Sequence, residues 1–319
     1  MKKKLLALLL ACVMVLALAA CGGGSKDTYK VGICQLAPHP ALDAATQGFI
    51  DALNEKLPDQ VEIDNQNAAG DTPTCATIIN GFVSSNVDLI LANATPALQA
   101  AASATNTIPV LGTSITEYGV ALGIDNFSGT VGTNVSGTSD LAPLDQQAAM
   151  IHEWYPDAQN VGLVYCSAED NSQYQVDNVQ KYLEDLGHTC KQYPFSDTND
   201  MASVVQNAAD NSDVLYVPTD NTAANNTEAI ANVVIPEGVP VVAGEEGICS
   251  GCGVATLSIS YYDIGHKAGE MAVDILTGKA DVKDMAIEYA PQFVKKYNPA
   301  TCEALGITAP SDYVDVTAE

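Results

Sequence analysis

Residues 87–97 read VDLILANATPA, and residues 212–222 read SDVLYVPTDNT. Each is an acid, a short apolar run, then small and hydroxyl or amide residues leading into a helix-like segment. An apolar run that stops in such residues is a buried strand ending at a loop and a helix N-terminus. The resemblance extends in both directions. KVGICQ at 30–35 is echoed by NVGLVYC at 160–166, and IPVLGTSIT at 108–116 by VPVVAGEEG at 239–247. Val31 to Val161 is 130 positions, Asp88 to Asp213 is 125, and Pro109 to Pro240 is 131. Three pairs in near-constant register make one α/β unit used twice.

Between the strands lie helix-like segments. ALDAATQGFIDALNEKL places Leu42, Ala45, Phe49, Ala52 and Leu53 on one face. Further helices are expected at TPTCATIINGFVSS, TPALQAAASATN, SQYQVDNVQKYLEDLG and DMASVVQNAAD. Apolar strands alternating with helices predict parallel sheets covered on both faces, hence an α/β fold of two doubly wound, Rossmann-like lobes. The chain is expected to cross between lobes near VSGTSDLAP (135–143) and to return near ATLSISYYDIG (255–265), which makes a hinge. The corresponding division is 30–138 plus about 262–284 for the first lobe, and 139–261 plus about 285–319 for the second.

The N-terminus reads differently. MKKK precedes a 16-residue apolar run that ends in LAAC, Leu18 to Cys21. The run is shorter than the roughly 20 residues a spanning helix needs. It has the layout of a secretory signal over residues 1–20. LAAC resembles a bacterial lipobox, which implies that Cys21 is lipidated and that 21–29 form a tether. The expected location is the extracytoplasmic face of the cell membrane, held by lipid.

Thirty-nine acids face thirteen lysines, and the chain contains no arginine; its net charge is −26, or −29 after loss of Lys2, Lys3 and Lys4. Such a surface repels nucleic acid and anionic head groups. Seven further cysteines remain beyond Cys12 and Cys21. CSGC at 249–252 has the spacing of a local disulfide or half a metal site, but no second pair completes four ligands, and free thiols are expected. No metal or cofactor is expected.

Catalytic motifs are missing: there is no GxSxG elbow, HExxH, Walker loop or GxGxxG. No enzymatic activity is expected. Ligands of open α/β sheets sit beyond the carboxyl ends of the strands, so two such edges facing each other form an interlobe cleft. The candidate ligand residues at those ends are Gln35, His39, Thr95, Ser114, Glu117, Ser167, Glu169, Asn171, Asp220, Asn221 and Glu245. Buried acids would hold an ammonium. Without arginine, a carboxylate would be held by hydroxyls and by N–H groups at helix N-termini. The bland alternative for the acids is that they cap helices. Tyr118 and Tyr261 are candidates for stacking on a flat ligand, or for core packing.

GICQLAPHPALDAATQGFIDAL, ATPALQA, YCSAEDNSQYQV, YVPTDNT and GVATLSISYYDIGHKAGEMA together resemble the substrate-binding lipoproteins of ABC transporters, in the tryptophan/tyrosine-type branch. The matching positions are His39 to Asp43, Thr95, Pro96, Gln99, Glu169, Asn171, Ser172, Asp220 and Asn221. The chain departs from the family pattern at Glu117-Tyr118, Cys166 and Ser260-Tyr261. The resemblance implies a type I periplasmic-binding-protein fold. It also implies a monomer that delivers an aromatic amino acid to permease and ATPase subunits. A surface sensor or adhesin on the same fold, or a binder of another solute, is the alternative.

Overall fold

The computed structural model describes residues 28–317. The signal segment and Cys21 lie outside the described residues. Thirteen strands and twelve α-helices are seen among the described residues. In the first lobe, β1 (Tyr29–Gln35), β2 (Val61–Asn67), β3 (Leu89–Asn93), β4 (Val110–Ile115) and β5 (Val135–Ser139) run parallel in the order 2-1-3-4-5. In the second, β6 (Asn160–Cys166), β7 (Thr189–Phe195), β8 (Val214–Val217), β9 (Val241–Ala243) and β10 (Ala255–Ser258) repeat it as 7-6-8-9-10. Tyr29, expected to be the last residue of the tether, is the first residue of β1 and pairs with Val61.

The duplication holds at the level of atoms. An Asp88 carboxylate oxygen accepts the Lys30 N–H at 2.8 Å, and Asp213 does the same for Asn160 at 2.8 Å. The carbonyls of Pro109 and Pro240 accept the Ile90 and Leu215 N–H groups, each at 2.9 Å. Each acid therefore closes the open start of the first strand of its sheet, and each proline ends a loop that feeds the fourth.

Helices cover both faces. In the first lobe, Val31 and Ile33 pack with Phe49 and Leu53 of α1 (Pro40–Lys56). Cys34 turns the other way, onto Ile79 and Phe82 of α2 (Thr72–Ser84). α3 (Thr95–Ala104) and the short α4 (Tyr118–Leu122) complete this layer. The second lobe carries α5 (Leu144–Trp154), α6 (Asp170–Asp185), α7 (Thr198–Ala209), α8 (Asn221–Ala224), α9 (Thr227–Glu237) and α10 (Glu246–Cys252). α11 (Tyr261–Leu276) returns to the first lobe and packs on α1 at Gly48, Gly265 and Gly269, where an added Cβ would strike the backbone of the facing helix.

Within the described residues the chain crosses between sheets three times. After α11, β11 (Glu288–Tyr289) pairs with β5, so the chain stays with the first sheet to Tyr289, past the boundary expected near 285. Only then does it return to β12 (Val294–Tyr297), which runs antiparallel to β10; α12 (Pro299–Leu305) and β13 (Val314–Asp315) follow. All seven described cysteines are free, including Cys249 and Cys252, which are buried on α10.

Candidate functional site

The carboxyl ends of the two sheets face each other, and helix starts converge there. α1, α3, α6, α8 and α10 all begin at this face, at Pro40, Thr95, Asp170, Asn221 and Glu246. The switch point of each sheet, where the strand order reverses, falls at β1/β3 and at β6/β8.

Backbone strain marks the first-lobe side. Ala94 at the end of β3 has φ 89°, and Ser114 in β4 has φ 55°. Both are left-handed conformations that cost a residue with a Cβ about 1 kcal/mol or more. Two such residues on adjacent strand ends shape a surface that regular strand ends would not give. The Ser114 hydroxyl is buried without a hydrogen-bond partner, as are the side-chain oxygens of Asn93 and Asn171 and one oxygen of Asp140. Buried polar atoms are nearly always satisfied in folded proteins. Eight unsatisfied side-chain atoms occur among the described residues, and these four belong to residues at or just after strand ends or at a helix start on this face; the other four, on Trp154, Tyr155, Tyr193 and Thr256, lie elsewhere in the second lobe.

The acids follow a different logic. Glu169 takes the N-cap position of α6, but its carboxylate reaches across to the start of α8. Oε2 accepts the Asn221 N–H at 3.0 Å and the Asn221 amide at 2.7 Å; Oε1 accepts the Thr222 N–H at 2.8 Å and its hydroxyl at 2.7 Å. The Asn171 amide adds a fifth contact at 3.2 Å. Asp220 accepts the Cys166 N–H at 2.7 Å and the Ala223 N–H at 2.8 Å, tying β6 to the start of α8. Burial, reinforced by the Glu169 charge, pushes Asp220 up to about 7. Glu245 accepts the N–H groups of Gly247 and Ile248 as the cap of α10, and burial likewise pushes it up to about 7. Glu117, half-buried, caps α4 through Val120 N–H at 2.5 Å. The four acids named from the sequence therefore spend oxygens on helix N-termini of their own lobes.

The remaining candidates divide. Gln35 is fully engaged: its amide donates to Ala37 and Asp43, and its oxygen accepts the Thr46 hydroxyl. Ser167 is exposed, and its hydroxyl donates to the Phe195 carbonyl at 3.1 Å, so it serves the edge of the second sheet. Thr95 is buried in the first turn of α3. His39 spans the cleft, its Nε2 lying 3.5 Å from Asn221 Oδ1. Burial lowers its pKa, against the Asn221 hydrogen bond and the nearby Asp43 and Glu169 charges, which raise it. Gln99 on α3 donates to Asp170 on α6 at 3.0 Å, a second contact across the lobes. Tyr118 is core: its hydroxyl donates to the Thr138 carbonyl, and its ring stacks near Phe127.

Asp140 was missed from the sequence. It follows β5 directly and is 4% exposed, and its Oδ2 accepts the Tyr261 hydroxyl at 3.1 Å. Burial pushes it up to about 6, against the Thr116 and Tyr261 hydroxyls, which favour its charged form. The sequence offered only a weak signal, an acid after a strand inside a segment expected to be a crossing; its burial against Tyr261 is tertiary.

Two open volumes flank these residues. One of about 370 Å³ is lined from both lobes, by Ala37 and Pro96 on one side and Glu169 and Asn221 on the other. Another of about 590 Å³ lies beside the crossings, between Ala41, Ala44, Glu246, Tyr261 and Lys296. Lys296 is 2.9 Å from both oxygens of Glu246.

Residues 30–319 match the family of ABC transporter substrate binding proteins. The chain belongs to that family. It is 36% identical over 284 residues to a tyrosine-binding protein of Clostridioides difficile, covering 88% of this chain and 82% of the relative. Among solved structures, a domain from Streptococcus pneumonia in complex with L-Trp is 32% identical, with a TM-score of 0.84 over 89% of this chain and 96% of that one. The ligand-free, open structure of a substrate-binding protein with adhesive properties from Clostridium difficile is 36% identical, over 90% of this chain and 99% of that one, yet its TM-score is 0.69. Higher identity with poorer superposition is what a different lobe arrangement produces. This chain superposes better on the tryptophan complex than on the open, ligand-free structure. The fold of two parallel-dominated α/β sheets is the type I periplasmic-binding-protein fold.

Proposed function

We propose that this chain is the lipid-anchored, extracytoplasmic solute-binding subunit of an ABC importer, and that its ligand is an aromatic amino acid. The observation that carries this reading is the superposition, better on a relative holding L-Trp than on an open, ligand-free one. The contacts His39–Asn221 and Gln99–Asp170 bridge the lobes.

The mechanism is non-covalent. A ligand that binds the closed form better shifts the lobes toward closure, and it shifts them by no more than that difference in affinity. Permease and ATPase subunits then receive the closed form. The unsatisfied Ser114 and Asn171 groups, with Thr95 at the start of α3, supply polar contacts for a zwitterion. The helix N-termini supply the positive field that arginine would otherwise give.

The test is a thermal-shift screen of the chain from Ser25 onward, first stripped of carried-over ligand, against all common amino acids, nucleosides and small sugars. Mass action requires a rise in melting temperature with any ligand of the folded state. A rise confined to aromatic amino acids supports the proposal; a rise with sugars alone contradicts it. Anchoring is tested separately: Cys21→Ser releases the protein from the membrane fraction, and retention there contradicts the lipid anchor.

A further inference from the structure

We propose that Asp140 is the counter-ion for the ligand's ammonium group. This rests on the amino-acid reading above and goes beyond it by naming the group that selects for the amine.

The argument is one of elimination and of position. Glu169, Asp220 and Glu245 are buried, but N–H groups of their own lobe occupy both carboxylate oxygens in each. Asp140 differs. Its carboxylate meets the hydroxyls of Tyr261 and Thr116 rather than N–H groups of a helix start: Oδ2 accepts Tyr261, and Oδ1, sealed from solvent, has no hydrogen-bond partner of good geometry. No lysine pairs with it among the described residues. A buried carboxylate oxygen with no donor is costly unless a cation or a proton arrives. An ammonium brings the charge and three donors in one group.

Position makes the same case. Asp140 sits where the chain first leaves the first lobe, and its N–H donates to the Ile115 carbonyl at 3.2 Å, at the end of β4. Tyr261 sits where the chain comes back. Glu245, at the end of β9, is close enough for the Asp140 charge to raise its pKa. Asp140 therefore lies between the ends of β4 and β5 and two crossings, directly behind Tyr261, which lines the cavity of about 590 Å³. A cation held there neutralises the one charged group shared by the first two crossings. Binding is thereby joined to the segments that must move.

The experiment is a two-by-two comparison by calorimetry. Wild-type protein and Asp140→Asn are each titrated with L-tyrosine and L-tryptophan, and with 3-(4-hydroxyphenyl)propionate and indole-3-propionate, which lack the amine. Wild-type protein is expected to prefer the amino acids. Asp140→Asn is expected to lose about 30-fold or more for the amino acids, as for one partner of a buried charge pair, and about threefold or less for the deaminated pair. Equal losses for both ligand classes, or an unchanged preference in Asp140→Asn, overturn the assignment. If wild-type protein binds neither amino acid, the functional reading itself fails, and this inference with it. Should Asp140→Asn fail to fold, Asp140→Glu, which moves the charge by one methylene, is read the same way. An amine-specific loss of about 10-fold supports the assignment, and no amine-specific loss overturns it.

Discussion

Replacing Glu169 separates a fastening role from direct ligand binding. Its carboxylate accepts five hydrogen bonds, two of them from the backbone N–H groups of Asn221 and Thr222. Glu169→Ala removes every acceptor and strands those two N–H groups at the start of α8. A buried unsatisfied donor costs about 1–3 kcal/mol. One term opposes the loss: the Glu169 charge helps burial raise the Asp220 pKa, and removing it relieves that repulsion. The expected net destabilisation of the ligand-free protein is about 2–4 kcal/mol. That corresponds to a fall of about 5–10 °C in melting temperature for a chain of this size. Glu169→Gln retains one acceptor and should lose about half as much. The assay is thermal and urea unfolding of ligand-stripped protein. If Glu169→Ala melts within about 1 °C of wild type while losing ligand affinity, the fastening role is wrong and Glu169 is a ligand group.

Asp140, Asp220 and Glu245 have folded-state pKa values raised to about 6, 7 and 7, from 3.8, 3.8 and 4.5. Between roughly pH 4 and 7 the folded state holds protons that the unfolded chain has released, so ligand-free stability should fall as pH rises through that window and level off above it. Urea midpoints at pH 5 and pH 8 check this, and Asp220→Asn should flatten the slope. Tyr261→Phe removes a hydroxyl that hydrogen-bonds Asp140 and favours its charged form, so the pH below which amino-acid affinity declines should move upward from about 6; titrations across pH 5–8 read it. Ser114→Gly should raise the ligand-free melting temperature by relieving about 1 kcal/mol of left-handed strain, while weakening binding; a lower melting temperature contradicts the strain argument. Gly265→Ala drives a Cβ into the Ala45 carbonyl on α1 and should cost about 2–4 kcal/mol, read as a lower urea midpoint.

How much of this was legible in the sequence depended on local pattern. The duplicated strands were visible because buried parallel strands read as uninterrupted apolar runs, and the paired acids and prolines fixed their register. β11, β12 and β13 were not visible. They are two to four residues long, and VKKY at 294–297 carries lysines that give no apolar alternation. The third crossing was hidden with them.

The cleft was legible as a set of strand ends but not as a division of labour. In SAEDNS, the local sequence cannot show that Glu169 turns away to serve α8, because α8 is 52 positions further on. Asp140 reads as an ordinary loop acid in TSDLAP; only the meeting of two crossings buries it against Tyr261. His188 reads as a solvated helix-end residue, yet it is 5% exposed and pairs with His152 at 3.0 Å, because the end of α6 folds back onto α5.

The most direct test of the central claim is isothermal titration calorimetry of ligand-stripped wild-type protein. L-tryptophan, L-tyrosine and L-phenylalanine would be compared with leucine, glutamate and a hexose. Saturable 1:1 binding to at least one aromatic amino acid, far tighter than to the other three, is predicted. Saturable binding to the hexose or to glutamate with no heat from any aromatic amino acid would contradict the account.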